Sequence, residues 1–510
     1  MIYRPAKDDS IQEGHRQSYC WLALAMIAGA GVRLYLLLTA SVIAPDGTAY
    51  VSMARRMVFD WRGELPRDYP LGYPFLIRLA HACGGYLLSH DPVIAWQRSG
   101  QFVSLISGIL VIGLLYLLGS KMIGQRCGLL AAWIWAVLPS ASALSADALS
   151  DMPNLCLMLA ALILLMETER SASLGSFFWA GLLSGAAYCI RPEGAEVALV
   201  GMISAFSEKR VEVGRRIAAA IAVSLGFALI GGGYAILEGG RLINKQTWLQ
   251  EESAGGGDQA YDPSEPLRVS ASSSVYLALF RSLGAVLEKL SLSLRYVWLL
   301  PGVVYPFLPM ARRDRRWCTG PPAYLFTLHA AVLVWFHHRA GYLSHRHTML
   351  LAVFTVILAS GTLAELARML SQRFGMKWRS SDAIIVAAIG ASLSPWLLRD
   401  INSNRNYLHL AAKFVVESKF VRPPNIIAQH GWVPFYSGLL NWAACRHASQ
   451  LAELPELITA DLACFDTREV VPPVIHHRPT GIDVRMIEAA RFTDPRGNHG
   501  MVIYRVRPGN

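Results

Sequence analysis

Apolar runs long enough to cross a bilayer recur along this chain. They lie at approximately 19–43, 93–118, 127–145, 152–167, 176–190, 194–206, 217–237, 286–308, 321–337, 347–366 and 383–399. A hydrocarbon core about 30 Å thick takes about 20 helical residues to span. Within it each backbone polar group must find a partner in its own segment, which leaves helices for runs of this kind. The expectation is an α-helical polytopic membrane protein with about 11 transmembrane helices, of which 176–190 and 194–206 have the alternative of a single hairpin. The composition agrees, with 53% hydrophobic residues, 16% charged residues and a mean hydropathy of +0.35.

The formal charge of +11 invites a nucleic-acid reading, but the basic residues form no stripe. They fall on every second connection: Lys121 and Arg126; Arg170; Lys209, Arg210, Arg215 and Arg216; Arg312, Arg313, Arg315 and Arg316; Arg368, Arg373, Lys377 and Arg379. That is the pattern of cytoplasmic loops, and nucleic acid is excluded as a partner. With Arg4, Lys7 and Arg16 ahead of the first run, the N-terminus is expected in the cytoplasm. Residues 44–92, the Asp147–Asp151 turn, 238–285, 338–346 and everything after about 400 then face outward, at a plasma or inner membrane. Several arginines in the first outer loop weaken this count without reversing it. The first run is too long for a signal peptide and no small-residue cleavage site follows, so it reads as a retained anchor. Eight cysteines show no Cys-x-x-Cys pair and no zinc-like spacing. Most sit in or beside apolar runs as packing residues. Cys445 and Cys464 share the C-terminal region, where a disulfide is an open option.

The first outer loop, 44–92, is too long for a turn. Val51–Trp61 reads as an amphipathic helix lying on the surface, and the prolines of Asp68-Tyr69-Pro70-Leu71-Gly72-Tyr73-Pro74 break any continuous span. Loop 238–285 is polar and rich in Gly and Ser, a flexible connection or a lid. Beyond about residue 400 the pattern becomes that of a small extracytoplasmic α/β domain. Leu408–Val421 and Phe435–Ala444 are helical in period, while Asn425–Gln429, Ala460–Phe465 and Met501–Val506 are strand-like. The chain thus divides into a transmembrane part, 1–400, and a soluble part, 401–510.

Chemistry concentrates at the outer boundary. Asp46, Tyr50 and Ala54 recur at a spacing of four, so they share one face of a helix emerging from the first span. A carboxylate delivered to the bilayer edge suits work on a lipid-linked substrate; its plainer reading is a helix N-cap. Arg33, well inside the first span, pairs with a carboxylate at a cavity or snorkels. Arg98 sits near the outer end of the second span. Asp147, Asp151 and Pro153 form an outer turn, where an Asp before Pro is a helix cap or a site acid. Arg191-Pro192-Glu193-Gly194 turns between two short runs, lining a site or tying the turn. His337-His338-Arg339 and His345-Arg346-His347 gather imidazoles, yet no helical His pair has a clear carboxylate partner, which disfavours a metal site. Arg346 suits phosphate, because guanidinium matches phosphate oxygens in bidentate fashion.

The order of these residues resembles a known family. Arg33 in the first span is followed by Asp46-x-x-x-Tyr50-x-x-x-Ala54 and Tyr69-Pro-x-x-Tyr73-Pro. Then come Arg98 in Gln-Arg-Ser-Gly, Ser150-Asp151-x-Pro153, Arg191-Pro-Glu193-Gly, and Arg346-His347 at a late span. This is similar to the GT-C superfamily of polytopic glycosyltransferases, in the branch of protein O-mannosyltransferases and the lipid A aminoarabinose transferase. The resemblance covers about residues 20–370 and rests on the order and sidedness of the motifs. It implies an inverting transferase that takes a sugar from a polyprenyl-phosphate donor at the outer face and gives it to a protein or lipid acceptor. It implies Asp46 as general base, Arg346 and Arg98 as donor-phosphate ligands, and Tyr50, Tyr73, Asp68, Asp151, Arg191, Glu193 and His347 around the cavity. Family members often carry two adjacent acids in the first loop; here Gly47 follows Asp46, leaving Asp68, Asp151 or Glu193 as partner acid. Some members use a divalent cation and others none, so a metal cofactor stays open. The competing readings are an oligosaccharide ligase and a transporter or flippase of lipid-linked sugars. Transporters usually carry internal repeats, and no convincing repeat is present.

Overall fold

A computed structural model describes residues 9–60, 69–171, 173–207, 211–237, 275–309, 311, 315–374, 378–397, 405–418, 420, 422–440, 442–445, 448–495, 497 and 499–508. The N-terminal half is helical: α1 (Asp9–Thr39), α2 (Pro45–Arg56), α3 (Gly72–Ala82), α4 (Pro92–Met122), α5 (Gln125–Ala136), α6 (Pro139–Ala146), α7 (Asp151–Ser171), α8 (Leu174–Ile190), α9 (Ala195–Ser207), α10 (Val213–Phe227) and α11 (Gly233–Leu237). Beyond the undescribed 238–274 follow α12 (Val275–Ser293), α13 (Leu299–Val304), α14 (Gly320–Ala340), α15 (Met349–Phe374), α16 (Trp378–Leu397), α17 (Asn406–Glu417) and α18 (Trp432–Tyr436). Six strands close the chain: β1 (Ile426–Ala428), β2 (Ala443–Ala444), β3 (Leu462–Asp466), β4 (Val474–His477), β5 (Ile482–Thr493) and β6 (Gly500–Pro508).

The helices follow the apolar runs because burial against neighbours and lipid both demand it. Ser18–Thr39, Pro92–Met122, Val213–Leu237 and His345–Arg373 are each long and apolar enough to cross a membrane. Ile217, Ile221, Leu225 and Leu229 recur every fourth residue on the α10 side and all are exposed, a stripe suited to contact with lipid. The protein is a multi-pass membrane protein. Helices α8 and α10 cross closely through small residues: a Cβ on Gly181 would lie 2.1 Å from the Val223 carbonyl oxygen, and one on Gly226 2.2 Å from that of Phe178.

Two apolar runs are not continuous helices. The run at 127–145 is split into α5 and α6, bent by 60°. Pro139, at the first position of α6, donates no hydrogen bond back to α5, and the carbonyls that end α5 need another donor. Arg33 supplies it. Fully buried, it donates from Nη1 to Ala136 O (2.8 Å) and Gly29 O (3.0 Å), from Nη2 to Trp135 O (3.2 Å) and from Nε to Ser145 Oγ (3.1 Å). The expectation that Arg33 meets a carboxylate or snorkels is corrected: it mends a broken helix. The run at 286–308 is interrupted between α12 and α13, where Arg295 (φ 51°) and Tyr296 (φ 61°) take left-handed backbone conformations. Residues 275–285, expected in a loop, are helical within α12.

The C-terminal sheet has the order β2-β1-β3-β6-β5-β4, parallel between β1 and its neighbours β2 and β3, and antiparallel from β3 onward. Alternate residues of β3 enter different apolar clusters, Ala463 and Phe465 on one face, Leu462 and Cys464 on the other. Cys445 packs with the first set and Cys464 with the second, and no disulfide joins them. The predicted helix at Phe435–Ala444 does not form. Helix α18 stops at Tyr436, Gly438 takes φ +79°, and Ala443–Ala444 pair as β2; a left-handed residue ends a helix, and glycine adopts that state without penalty.

Candidate active site

Helix α2 carries Asp46 in its first turn, with Pro45 at its start and no side-chain cap at Ala44. Asp46 is therefore not the N-cap. That backbone is fixed from a distance: both carboxylate oxygens of Asp147 accept the Ala44 N–H at 3.1 Å, and Oδ1 also accepts the Ala148 N–H at 2.7 Å. The segment before α2 is held by the C-terminal elements. Trp432 Nε1 donates to Ile43 O (2.7 Å), His409 Nε2 to Ser41 O (2.6 Å), and the Tyr436 hydroxyl accepts the Ile43 N–H (3.1 Å) while donating to Gln97 Oε1 (3.0 Å). At the far end of α2, Arg55 and Arg56 donate to the carbonyls of Gly438 and Leu440.

So held, Asp46 meets Arg346, which a short turn before α15 brings across 300 residues of chain. Arg346 Nη2 lies 2.6 Å from Asp46 Oδ2, and the Tyr69 hydroxyl donates to Asp46 Oδ1 at 3.1 Å. Both members of the ion pair keep some access to solvent, Arg346 with 24% and Asp46 with 32% of the side chain exposed. Burial, reinforced by the negative charge of Asp46, holds the Tyr69 phenol well above its ordinary range, and burial pushes Tyr50 up to about 12. These phenols keep their protons near neutrality. Tyr50, one turn beyond Asp46, bonds Ser150 Oγ at 3.0 Å.

Behind the pair opens a small polar cavity lined by Asp151, Asn154, Arg191, Glu193, His329, Arg346 and His347, with Leu155, Met158, Met349 and Leu350. Arg191 ties its acids together, donating from Nη1 to Asp151 Oδ1 (2.8 Å) and from Nη2 to Glu193 Oε1 (3.0 Å). His329 stands between Glu196 Oε2 (2.8 Å from Nδ1) and the His347 carbonyl (3.1 Å from Nε2). His347 accepts the Ser344 N–H on Nδ1 at 3.1 Å and so shapes the turn that presents Arg346.

The candidate residues therefore separate. Asp46, Arg346, Asp151, Arg191, Glu193 and His347 surround or adjoin one cavity. Arg98 does not join them: its guanidinium donates to the Leu37 carbonyl at the end of α1 and to Gln101 Oε1. Tyr73 is fully buried and bonds the Gly100 carbonyl and Ser104 Oγ, bracing α3 on α4. Asp68 lies outside the described residues. Sequence reasoning did not single out Asn154, His329 and Glu196. The last two carried a signal, an ionisable side chain inside an apolar run, and Asn154 lies one turn from Asp151 on the same face. Among the described residues no three His, Cys, Asp or Glu side chains gather to hold a metal, and the Asp46 oxygens already accept from Arg346 and Tyr69. These residues do not make a metal site, and no step below passes through one.

Residues 70–234 match a family model described as dolichyl-phosphate-mannose-protein mannosyltransferase. Among solved structures, ArnT from Cupriavidus metallidurans bound to undecaprenyl phosphate superposes with a TM-score of 0.61 at 14% identity, covering 95% of this chain and 97% of that one. The oligosaccharyltransferase of Archaeoglobus fulgidus, in complex with Zn and sulfate, gives 0.57 at 12% identity over 88% of this chain and 68% of its own. The chain shares the fold of these two structures. No curated protein sequence matches the chain.

Proposed function

We propose that the protein is an inverting glycosyltransferase that moves a sugar from a polyprenyl-phosphate donor to a protein or lipid acceptor at the outer face of the membrane. The topology that goes with it has about 11 spans, a cytoplasmic N-terminus and an extracytoplasmic domain from about residue 401. The observation that carries the reading is the Asp46–Arg346 pair at the mouth of a polar cavity. Its relatives in fold support it: one ArnT structure holds undecaprenyl phosphate, and one of AglB from Archaeoglobus fulgidus holds dolichol phosphate with an inhibitory peptide.

Asp46 takes the proton of the acceptor hydroxyl as its oxygen bonds to the anomeric carbon from the side opposite the phosphate. The bond from that carbon to the phosphate oxygen breaks, and the pair of electrons leaves with polyprenyl phosphate. Arg346 receives the growing negative charge there, the preorganised electrostatic help such a step needs. When the donor phosphate engages Arg346, the guanidinium is shared between phosphate and carboxylate, which frees Asp46 to act as base. Arg191, occupied by Asp151 and Glu193, keeps the cavity wall rigid.

Asp46→Asn tests the assignment. Removing a general base costs about 10²–10⁴-fold in rate, so the variant should lose sugar transfer by that factor in proteoliposomes and still bind undecaprenyl phosphate. Undiminished transfer rejects Asp46 as the base. Movement of lipid-linked sugar across the vesicle with no sugar reaching an acceptor would make the protein a transporter instead.

A further inference from the structure

Arg346 stands on the short turn His345–Thr348, capped by Ser344, and that turn is fastened from both sides. Arg346 donates its N–H to Ser344 Oγ at 3.4 Å, and its carbonyl accepts the Met349 N–H. The carbonyls before and after it are met from other helices. The His345 carbonyl lies 2.8 Å from Ser293 Oγ, at the end of α12, and 2.8 Å from Thr348 Oγ1. The His347 carbonyl faces His329 Nε2, on α14, at 3.1 Å. Three consecutive carbonyls centred on the arginine are therefore held.

A carbonyl can only accept, so His329 Nε2 carries a hydrogen. The other ring nitrogen, Nδ1, lies 2.8 Å from Glu196 Oε2, a contact that also needs a hydrogen between its atoms. Imidazolium against carboxylate satisfies both contacts, and so does neutral imidazole against carboxylic acid. Neutral imidazole against carboxylate does not. Its one hydrogen would go to the anion and leave a lone pair facing the His347 carbonyl. The pair thus holds one proton and no net charge, which suits two side chains that are both buried. Ionisable groups buried within apolar segments are costly and tend to serve a function. The transfer step above uses neither His329 nor Glu196.

We propose that His329 is a positioning residue for Arg346: its Nε2–H fixes the His347 carbonyl, Glu196 fixes the ring, and Ser293 steadies the turn from the other side. This rests on the lipid-phosphate role given to Arg346 above. With no phosphate bound, Asp46 orients the guanidinium at 2.6 Å. Once a phosphate shares that guanidinium, the carboxylate no longer aims it alone. The backbone of the turn then decides where the planar fork can reach, and a fork must meet phosphate oxygens in its own plane.

The test titrates undecaprenyl phosphate into the full-length protein in nanodiscs and measures melting temperature on the same samples. His329→Leu should weaken binding about tenfold, the scale of one hydrogen bond lost with its carbonyl left unmade. His329→Gln, whose amide N–H can still reach the His347 carbonyl, should restore most of the affinity. Glu196→Leu should lose part of it, and Glu196→Gln, which keeps a polar partner for Nδ1, should recover that part. Ser293→Ala should weaken binding about two- to fivefold, and this small change decides the matter if His329→Leu does not fold. Arg346→Lys supplies the last arm. With the fork gone, His329→Leu should cost little more, because it acts through Arg346. A pair that merely ties α9 to α14 would lower the melting temperature and leave the affinity alone. That result overturns the proposal. So does a loss in His329→Gln as large as in His329→Leu, unchanged affinity in Ser293→Ala, or a loss that adds in full to that of Arg346→Lys. Failure of the unaltered protein to bind undecaprenyl phosphate would be a different result. It would reject the lipid-phosphate reading, and the positioning role with it.

Discussion

Arg33, at the break between α5 and α6, and the pair Arg191 and Arg346, at the cavity, are guanidiniums withdrawn from water with different kinds of partner. Around Arg33 the acceptors are three backbone carbonyls and one serine hydroxyl, and every nitrogen of the guanidinium has one. Around the cavity the partners are carboxylates, drawn from α2, α7 and the turn before α9, and one of them, Asp151, retains an oxygen that nothing in the described chain satisfies. A buried charge whose partners are neutral and complete is scaffold. One whose partners are charged and incomplete waits for a ligand. The motif order alone does not separate these cases, because all three are arginines within or beside apolar runs.

The sharpest way to break the comparison is Arg33→Met. It fills similar volume but leaves the carbonyls that end α5 with no donor inside the membrane. At about 1–3 kcal/mol for each buried acceptor left unmade, the sum is a large part of the protein's stability, which for a domain is only about 5–15 kcal/mol. The expected outcome is a steep fall in the yield of monodisperse protein and in the melting temperature, with unchanged undecaprenyl phosphate affinity in whatever folds. Full stability with lost lipid-phosphate binding would place Arg33 with the site. Arg346→Lys should do the reverse. It keeps the charge but loses the planar fork, so affinity for undecaprenyl phosphate should drop about 10- to 100-fold, the range for hydrogen bonds to charged groups. Its melting temperature should hardly move. A melting temperature lowered as far as by Arg33→Met would mean that the Asp46–Arg346 pair is a strut.

What was legible in the sequence follows the same division. The apolar runs were readable because the bilayer imposes them, and Asp46 and Arg346 because their motifs occur in a telling order. The break at Pro139 was less so: a proline inside a run is visible, but whether the helix bends depends on Arg33, a hundred positions away. Helix α18 was overextended because the period continues past Gly438, and only the backbone shows that glycine left-handed. Strand β5 was missed because its alternation fails where the register shifts between Glu488 and Ala490. Arg98 and Tyr73 share the motif order with Arg346 yet bond carbonyls of α1 and α4, and Asn154 and His329 meet only because α7 and α14 line the same cavity. Convergence of this kind is tertiary, and no local spacing encodes it.

Asp147 stands between the two regions and gives the finest test. It is buried like Arg33, its partners are backbone N–H groups, and Arg346 and Asp46 act on it through space. Burial raises its carboxyl to about 6, against the pull of the Ala44 and Ala148 N–H groups toward lower values. Because the folded state holds this proton more tightly than the unfolded chain does, the stability it contributes is complete below the ordinary aspartate range near 4. It is lost as pH rises through about 6. Melting temperature measured between about pH 4 and about pH 7 should therefore carry a small downward step near pH 6. Asp147→Asn, which cannot ionise but still offers one oxygen to the Ala44 N–H, should flatten that step. If the step survives in Asp147→Asn, another buried group is titrating and Asp147 does not set the pH response of the segment that presents Asp46. If the step vanishes and undecaprenyl phosphate affinity stays level, Asp147 belongs with Arg33: a buried polar group whose work is to hold a helix where the chemistry requires it.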